Sequence, residues 1–182
     1  MFSLFKTNQK VKPKGRVIAL MNQKGGVGKT TMAFNLAHAF SHQGKKVLCI
    51  DMDPQSNFSS LFEVPVNPEG RNIYHLLINS IKELKALHTA TFINDVLFKG
   101  QDGIDLIPSG QELSGFELTV AGINGPRQLI LKKFIEKFEL RSLYDVIIID
   151  GPPTLGLLVV NIYVQLMAFF IPLFQIVFRN KD

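Results

Sequence analysis

The stretch NQKGGVGKTT, residues 22–31, constrains the fold of this chain more than any other segment. An apolar run, RVIALM (16–21), precedes it, and a segment follows in which Met32, Leu36 and Phe40 recur at helical spacing. In such a strand–loop–helix unit, glycine backbone N–H groups can surround phosphate oxygens without Cβ clashes, next to the positive end of the helix. The segment therefore predicts a phosphate-binding loop within an α/β fold.

The loop departs from the common pattern G-x-x-x-x-G-K-[ST] at its first position. Gly28, Lys29 and Thr30 fit the end of the pattern, but Gln23 stands where the opening glycine belongs, and Lys24 is an additional lysine. Lys29 can reach β- and γ-phosphates as a point charge, and the Thr30 hydroxyl can bind Mg²⁺. The loop thus predicts a nucleotide with Mg²⁺ as its ligand and leaves the second lysine to be explained.

Acidic residues close two other apolar runs. Asp150 ends YDVIIID (144–150), where a Walker B aspartate belongs, and Asp51 and Asp53 lie in DMDPQ after another run. Because parallel strands present their carboxyl ends at one edge of a sheet, we expect these acids to serve the same ligand as the loop, with Asp150 and Asp51 as candidates for Mg²⁺. Simple turn chemistry at Asp51 and at Asp53-Pro54 is the alternative.

Apolar strands and amphipathic helices alternate along the chain. This order predicts an α/β fold with a doubly wound, mainly parallel sheet of the P-loop NTPase type. Residues 1–15 contain four lysines and no acid, which predicts a basic, flexible lead before one domain over 16–182. Further strands are expected at 46–51 and 103–110, and helices at 30–44, 72–84 and 126–140.

A run without charged residues extends from Gly151 to Phe178. Its length would allow a membrane span. Prolines, glycines and polar residues interrupt it, however, so the preferred prediction is a helix over 156–167 followed by a buried strand over 168–173.

The composition narrows the function less than the motifs do. A net charge of +5 permits a nucleic-acid or anionic partner but also fits an ordinary surface. The single cysteine, Cys49, lies in an apolar run, and the first residues lack the pattern of a secretory signal. Both observations favour a cytoplasmic protein.

Four motifs together resemble the ParA-type partition ATPases, a branch of the deviant Walker A group that also includes MinD-type proteins. The resemblance begins near Arg16 and extends to about Asn161, which leaves 162–182 as a divergent end. The matching segments are KGGVGKTT (24–31), DMDPQSN (51–57), LIPSGQEL (106–113) and DVIIIDGPPTLG (145–156).

The resemblance implies a role for each motif residue. Lys24 would be the signature lysine that reaches the nucleotide of a partner subunit. Asp53 would position the hydrolytic water, Asp150 would hold Mg²⁺ through water, and residues 151–153 would form the second switch. The implied cradle for ATP consists of Gly25, Gly26, Val27, Gly28, Lys29, Thr30 and Thr31, with Lys29 on the phosphates and Thr30 on Mg²⁺.

The family resemblance also implies a biological activity. Such a protein is a slow ATPase switch that forms a homodimer with ATP and binds DNA without sequence preference, in association with the nucleoid. A ParB-like, DNA-bound activator stimulates hydrolysis, and the cycle segregates or positions DNA or other cargo.

The end of the chain departs from the family pattern. Family members typically continue well beyond this length, so we expect a C-terminal truncation and an incomplete sheet. Two alternatives follow, a membrane-associated MinD-like positioning ATPase and a truncated product that binds nucleotide or a partner without hydrolysis. The sequence ends in FRNKD without a basic amphipathic helix, which disfavours membrane binding.

Overall fold

One sheet organises the part of the chain that the computed structural model describes, residues 14–64, 70–100 and 102–167. Its strand order is β1-β5-β2-β4-β3, and the pairs β1–β5, β5–β2 and β2–β4 are parallel. The five strands are β1 (Arg16–Leu20), β2 (Val47–Asp51), β3 (Phe98–Lys99), β4 (Ile104–Ile107) and β5 (Val146–Asp150).

The four parallel strands coincide with the four apolar runs of the sequence, so the predicted mainly parallel sheet is confirmed. The two-residue strand β3 was not expected. It pairs antiparallel with β4 at the edge of the sheet. Two residues are too few to give an alternating pattern, so the sequence holds no signal for this strand.

Helical segments follow the strands on both faces of the sheet. The longest, α1, begins directly after Gly28 and ends before Gly44, whose φ of 72° lies in the left-handed region that favours glycine. The helices are α1 (Lys29–His42), α2 (Asn57–Ser60), α3 (Ile73–Asn79), α4 (Lys82–Lys85), α5 (Phe116–Thr119), α6 (Ile130–Lys137), α7 (Leu140–Leu143) and α8 (Leu157–Met167).

Successive side chains of β5 enter two separate cores. Ile147 and Ile149 pack on the face that α3, α6 and α8 cover, whereas Ile148 packs on the face that α1 covers. This alternation follows from the two-residue period of a strand, and burial on both faces explains why the run is continuously apolar. The sheet is therefore doubly wound, as the sequence predicts.

The helix expected over 72–84 is divided into α3 and α4. The Ser80 hydroxyl donates a hydrogen bond to the Leu77 carbonyl at 2.6 Å, which competes with helix continuation. The next residue, Ile81, is extended (φ −93°, ψ 119°) and buried. Burial of this side chain therefore coincides with the break between the two helices.

The helix expected over 126–140 is also interrupted. It begins with a 3₁₀ turn at Arg127–Leu129 and continues as α6, and Glu139, with φ of 49°, separates α6 from α7. Left-handed residues end helices, and here one occurs without a glycine to signal it.

The uncharged region after β5 contains the predicted helix. The expected helix over 156–167 corresponds to α8, which spans 11 residues. None of the helices in the described part of the chain is long and apolar enough to cross a membrane. The expected strand over 168–173 and most of the basic lead lie outside the described residues.

Asn161 joins α8 to the start of α6. Its side chain is 1% exposed, and its Oδ1 accepts the backbone N–H of Leu131 at 3.0 Å. Its Nδ2 donates to the carbonyls of Arg127 and Leu157 at 3.0 and 2.8 Å. The amide thus satisfies the Leu131 N–H, which has no intrahelical partner in the first turn of α6, together with the Arg127 carbonyl before it, and its bond to Leu157 stays within α8.

We expect Asn161→Ala to lower the free energy of unfolding by about 2–3 kcal/mol, because it leaves buried backbone groups without partners. Urea denaturation measures the change. The exposed Asn124 offers a matched control, and Asn124→Ala should change stability by no more than about 0.5 kcal/mol. Equal effects of the two substitutions would contradict this role for Asn161.

Candidate nucleotide-binding site

The glycine-rich loop connects the carboxyl end of β1 to the first residue of α1. Gly26 and Gly28 have φ values of 72° and 83°, which side chains with a Cβ rarely adopt. A Cβ added to Gly25, Gly26 or Gly28 would meet no described heavy atom within 4 Å. Backbone conformation, and not packing, thus requires glycine at positions 26 and 28, and within the described part of the chain the loop leaves space that a ligand could occupy.

The strongest link between the loop and the sheet joins Thr30 to Asp150. The Thr30 hydroxyl in the first turn of α1 donates to Oδ2 of Asp150 at the end of β5, at 2.7 Å. Asp150 is only 1% exposed, and its Oδ1 has no hydrogen-bond partner among the described residues. The two side chains that are predicted to hold Mg²⁺ therefore contact each other, and one buried carboxylate oxygen is left for a further donor or for water on a cation.

Burial raises the pKa of Asp150 to about 7. The hydrogen bond from Thr30 lowers this pKa, and the positive charge of Lys29 lowers it further. The negative charges of Asp51 and Asp53 raise it. A divalent cation near this carboxylate would favour its charged form.

Asp51 lies beside Asp150 in the sheet and is completely buried. Its Oδ1 accepts the backbone N–H of Asp53 at 3.0 Å, and its Oδ2 accepts the backbone N–H and the hydroxyl of Ser59 at 2.8 and 2.7 Å. Burial raises its pKa to about 6, against the lowering effect of these hydrogen bonds. These contacts match the turn-capping alternative, and a role of Asp51 in binding Mg²⁺ stays a prediction.

Asp53 occupies the turn after β2. Its Oδ1 accepts the backbone N–H of Gln55 at 3.0 Å, and its carbonyl accepts the N–H of Ser56 at 2.9 Å. The side chain is 9% exposed and belongs to the group of acids whose charges act on Asp150. Asp53 therefore stabilises the turn after β2 and also lies close enough to Asp150 for its charge to act there.

The two loop lysines differ in their surroundings. Lys29 is half-buried at the first position of α1, and its charge acts on Asp150. Lys24 is exposed, and its backbone N–H donates to Oδ1 of Asn22 at 2.9 Å. The remaining cradle residues, Val27 and Thr31, are half-buried and exposed, respectively. Lys24 thus has the accessibility that a role toward another molecule requires.

Gly151 follows Asp150 and packs against the end of β1, where the glycine-rich loop begins. Its N–H donates to the Leu20 carbonyl at 3.0 Å, and an added Cβ would lie 2.9 Å from Cγ of Met21 and 3.2 Å from Cδ1 of Ile162. Close packing therefore explains this glycine in the segment expected to form the second switch.

Two residues that contact the site, Ser59 and Ser109, were not among the predicted site residues, although Ser109 lies in the segment LIPSGQEL (106–113) that carries part of the family resemblance. Ser59 binds Asp51 from eight positions away, and Ser109 donates its backbone N–H to the Ser59 hydroxyl at 3.1 Å. Neither residue type nor spacing assigns these serines a contact with Asp51, so only the tertiary structure reveals it.

The described residues contain no group of three or more His, Cys, Asp or Glu side chains arranged to hold a metal ion. A Mg²⁺ site here would depend on phosphate oxygens and water in addition to Thr30 and Asp150. Mg²⁺ commonly binds in this way, with few protein ligands and several waters. The hydroxyl and the unpartnered carboxylate oxygen fit that requirement.

Comparison with known proteins places this geometry in a family. A family model described as "AAA domain" matches residues 15–178. The chromosome partitioning protein ParA of Caulobacter vibrioides is 35% identical over 158 residues, which are 87% of this chain and 55% of that protein. The chain belongs to the ParA-type family of AAA domain proteins. It spans about half the length of the curated relatives that it matches.

Solved structures agree with the ParA-type fold. A plasmid partition protein from Borrelia burgdorferi is 29% identical, with a TM-score of 0.66 over 84% of this chain and 62% of that one. Cobyrinic acid a,c-diamide synthase from Mycobacterium smegmatis, solved with ADP and magnesium, is 30% identical, with a TM-score of 0.70 over 83% of this chain and 56% of that one. The fold prediction is thus confirmed by proteins of more than one function.

The raised pKa of Asp150 predicts that the stability of this ParA-type chain falls as pH rises. Folded Asp150 keeps its proton up to about pH 7, whereas the unfolded carboxyl loses it near about pH 4. The folded state therefore holds more protons between these values. Without nucleotide, the free energy of unfolding should decrease by about 2 kcal/mol between roughly pH 5 and pH 7 through this group.

Urea denaturation at several pH values measures this dependence. Asp150→Asn should make the free energy of unfolding nearly independent of pH above about pH 6. Below that pH, Asp51 also contributes to the pH dependence, because its pKa is raised to about 6. The exposed Glu117 provides the control, because Glu117→Gln should leave the slope unchanged. Identical pH dependence in the wild type and Asp150→Asn would contradict the prediction.

Proposed function

We propose that this chain is a partition-type, Mg²⁺-dependent ATPase switch that helps to segregate or position DNA or other cargo. The observation that carries the proposal is the 2.7 Å hydrogen bond between Thr30, at the start of the helix after the glycine-rich loop, and Asp150, at the end of β5. It brings the phosphate loop and the Walker B strand end together. The ADP and magnesium in the similar Mycobacterium smegmatis enzyme support the same ligand class.

The loop residues would bind the phosphates of ATP. Backbone N–H groups of Gly25 to Thr31 surround the phosphate oxygens, and the first turn of α1 adds its partial positive charge. Lys29 places its ammonium group on the β- and γ-phosphates. Binding depends on the left-handed glycines at 26 and 28, which keep the loop free of side chains.

Thr30 and Asp150 would hold Mg²⁺, the latter through water. When bound, Mg²⁺ supplies positive charge that offsets the charge developing on the phosphates. Asp53, held in the turn after β2, orients the attacking water toward the γ-phosphate. These roles follow from the family resemblance, and the proximity of the three side chains at one sheet edge supports them.

The slow switch further requires a dimer. We assign Lys24 to the nucleotide of a second copy, because this lysine is exposed on the loop while Lys29 already serves the chain's own site. The dimer would bind DNA without sequence preference, and a ParB-like activator would trigger hydrolysis and release.

We expect Lys29→Ala and Asp53→Ala to reduce ATP turnover by about 100-fold or more, since each removes charge or orientation from the transition state. Lys29→Ala should also weaken nucleotide binding, whereas Asp53→Ala should retain it. Phosphate release measures turnover, and a fluorescent ATP analogue measures binding.

Lys82→Ala, at an exposed lysine on α4, is the control for the loss of a positive charge. Activity that neither Lys29→Ala nor Asp53→Ala alters would exclude this site. Nucleotide binding without turnover in the wild type would favour the non-hydrolysing alternative.

The dimer proposal predicts an ATP-dependent change in mass. Size-exclusion chromatography with light scattering should detect a monomer without nucleotide and a dimer with ATP. Lys24→Ala should remain monomeric with ATP, while Lys45→Ala, at another exposed lysine, should still dimerise. A wild-type chain that stays monomeric with bound ATP would overturn the assignment of Lys24.

A further inference from the structure

Asp51 is the centre of a hydrogen-bond network that connects the exit loop of β2, helix α2 and the exit loop of β4 at the carboxyl edge of the sheet. It accepts the backbone N–H of Asp53 in its own exit loop at 3.0 Å. It also accepts the backbone N–H and hydroxyl of Ser59 in α2, at 2.8 and 2.7 Å. Three of about four lone-pair sites on the carboxylate are thereby used inside the protein.

The direction of each hydrogen bond at Ser59 is fixed. Its hydroxyl donates to Asp51, because the carboxylate can only accept, and it accepts the backbone N–H of Ser109 at 3.1 Å. Ser109 lies in the loop after β4, so the hydroxyl joins the β2 and β4 exit loops. Asp51 is 0% exposed and Ser59 is 7% exposed, so water does not compete strongly for these bonds.

The same network fixes the backbone of Asp53. Its N–H is held by Asp51, its carbonyl accepts Ser56 at 2.9 Å, and its own Oδ1 accepts Gln55 at 3.0 Å. The preceding residue, Met52, donates its N–H to the Asp150 carbonyl at 2.9 Å and is fully buried. The position of the Asp53 carboxylate therefore depends on the contacts of Asp51.

We infer that Asp51 is a positioning residue that orients Asp53 for its role toward the hydrolytic water, and that the Ser59 hydroxyl locks Asp51 to the β4 exit loop. This inference rests on the proposed function for the role of Asp53, whereas the network itself stands on the contacts above. The inference thus gives Asp51 a role in holding the exit loop of β2, and not a role as a ligand of Mg²⁺.

The first test measures the network without any activity. NMR hydrogen exchange on nucleotide-free protein should show faster exchange of the Asp53 and Ser109 amides in Ser59→Ala, by about fivefold for the loss of one net hydrogen bond. Ser60→Ala is the matched control, because this neighbouring serine is exposed and its hydroxyl donates to the Ser56 carbonyl, away from Asp51. Unchanged exchange at the Asp53 amide in Ser59→Ala would overturn the inference, whether or not the protein hydrolyses ATP.

The second test separates positioning from metal binding. Ser59→Ala and Asp51→Asn should each lower kcat by roughly tenfold, less than the ~10²-fold that a 1 Å displacement of a catalytic group can cost. KM for ATP and the Mg²⁺ concentration at half-maximal nucleotide binding should stay unchanged, and Ser59→Thr, which keeps the hydroxyl, should restore turnover. Ser60→Ala should leave all three quantities at wild-type values.

A several-fold rise in the Mg²⁺ requirement of Asp51→Asn would overturn the inference in favour of a metal ligand. Full additivity of Ser59→Ala with Asp53→Ala would also overturn it, since a residue that acts through Asp53 has no effect once that carboxylate is gone. If the wild type binds ATP but never hydrolyses it, the proposed ATPase fails, and the exchange measurement alone decides the network.

Discussion

The parallel pairing of β5 with β1 on one side and β2 on the other is the interaction on which the site depends. Its register places Asp150 beside Leu20, the last residue of β1, and beside Asp51, the last residue of β2. The glycine-rich loop leaves the sheet just after Leu20, so this register decides that Asp150 meets Thr30. A slip of one residue would turn Asp150 to the other face of the sheet.

The features of this arrangement that depend on neighbouring residues in the chain can be predicted from the sequence. Continuous apolar runs predict buried parallel strands, and the acid at the end of the run before Gly151 predicts a carboxylate at the phosphate loop. The meeting of Thr30 and Asp150 follows from these two inferences, because all parallel strands present the same ends to one edge.

The features that the sequence does not predict depend on contacts between residues that are distant in the chain. Asn161 caps α6 from 30 positions away, and Ser109 contacts Ser59 from 50 positions away. Both residue types are common in loops and helix ends, so neither spacing nor composition distinguishes them. The helix break at Ile81 is similar, since burial in the core and not a glycine or proline accompanies it.

The acids at one sheet edge make the electrostatic energy of the folded chain sensitive to a nearby cation. Burial raises the pKa of both Asp51 and Asp150, and the charge of Asp53 acts on each of them in the same direction. Without a cation, the folded chain therefore carries an electrostatic cost at neutral pH that its hydrogen bonds offset only in part. A ligand that brings positive charge removes this cost and stabilises the folded state through its binding free energy. Asp51 holds the Asp53 turn and Asp150 contacts the start of α1 through Thr30, so a cation bound there would act on both segments. Such a link between occupancy and the order of the surrounding surfaces is what the proposed switch would require.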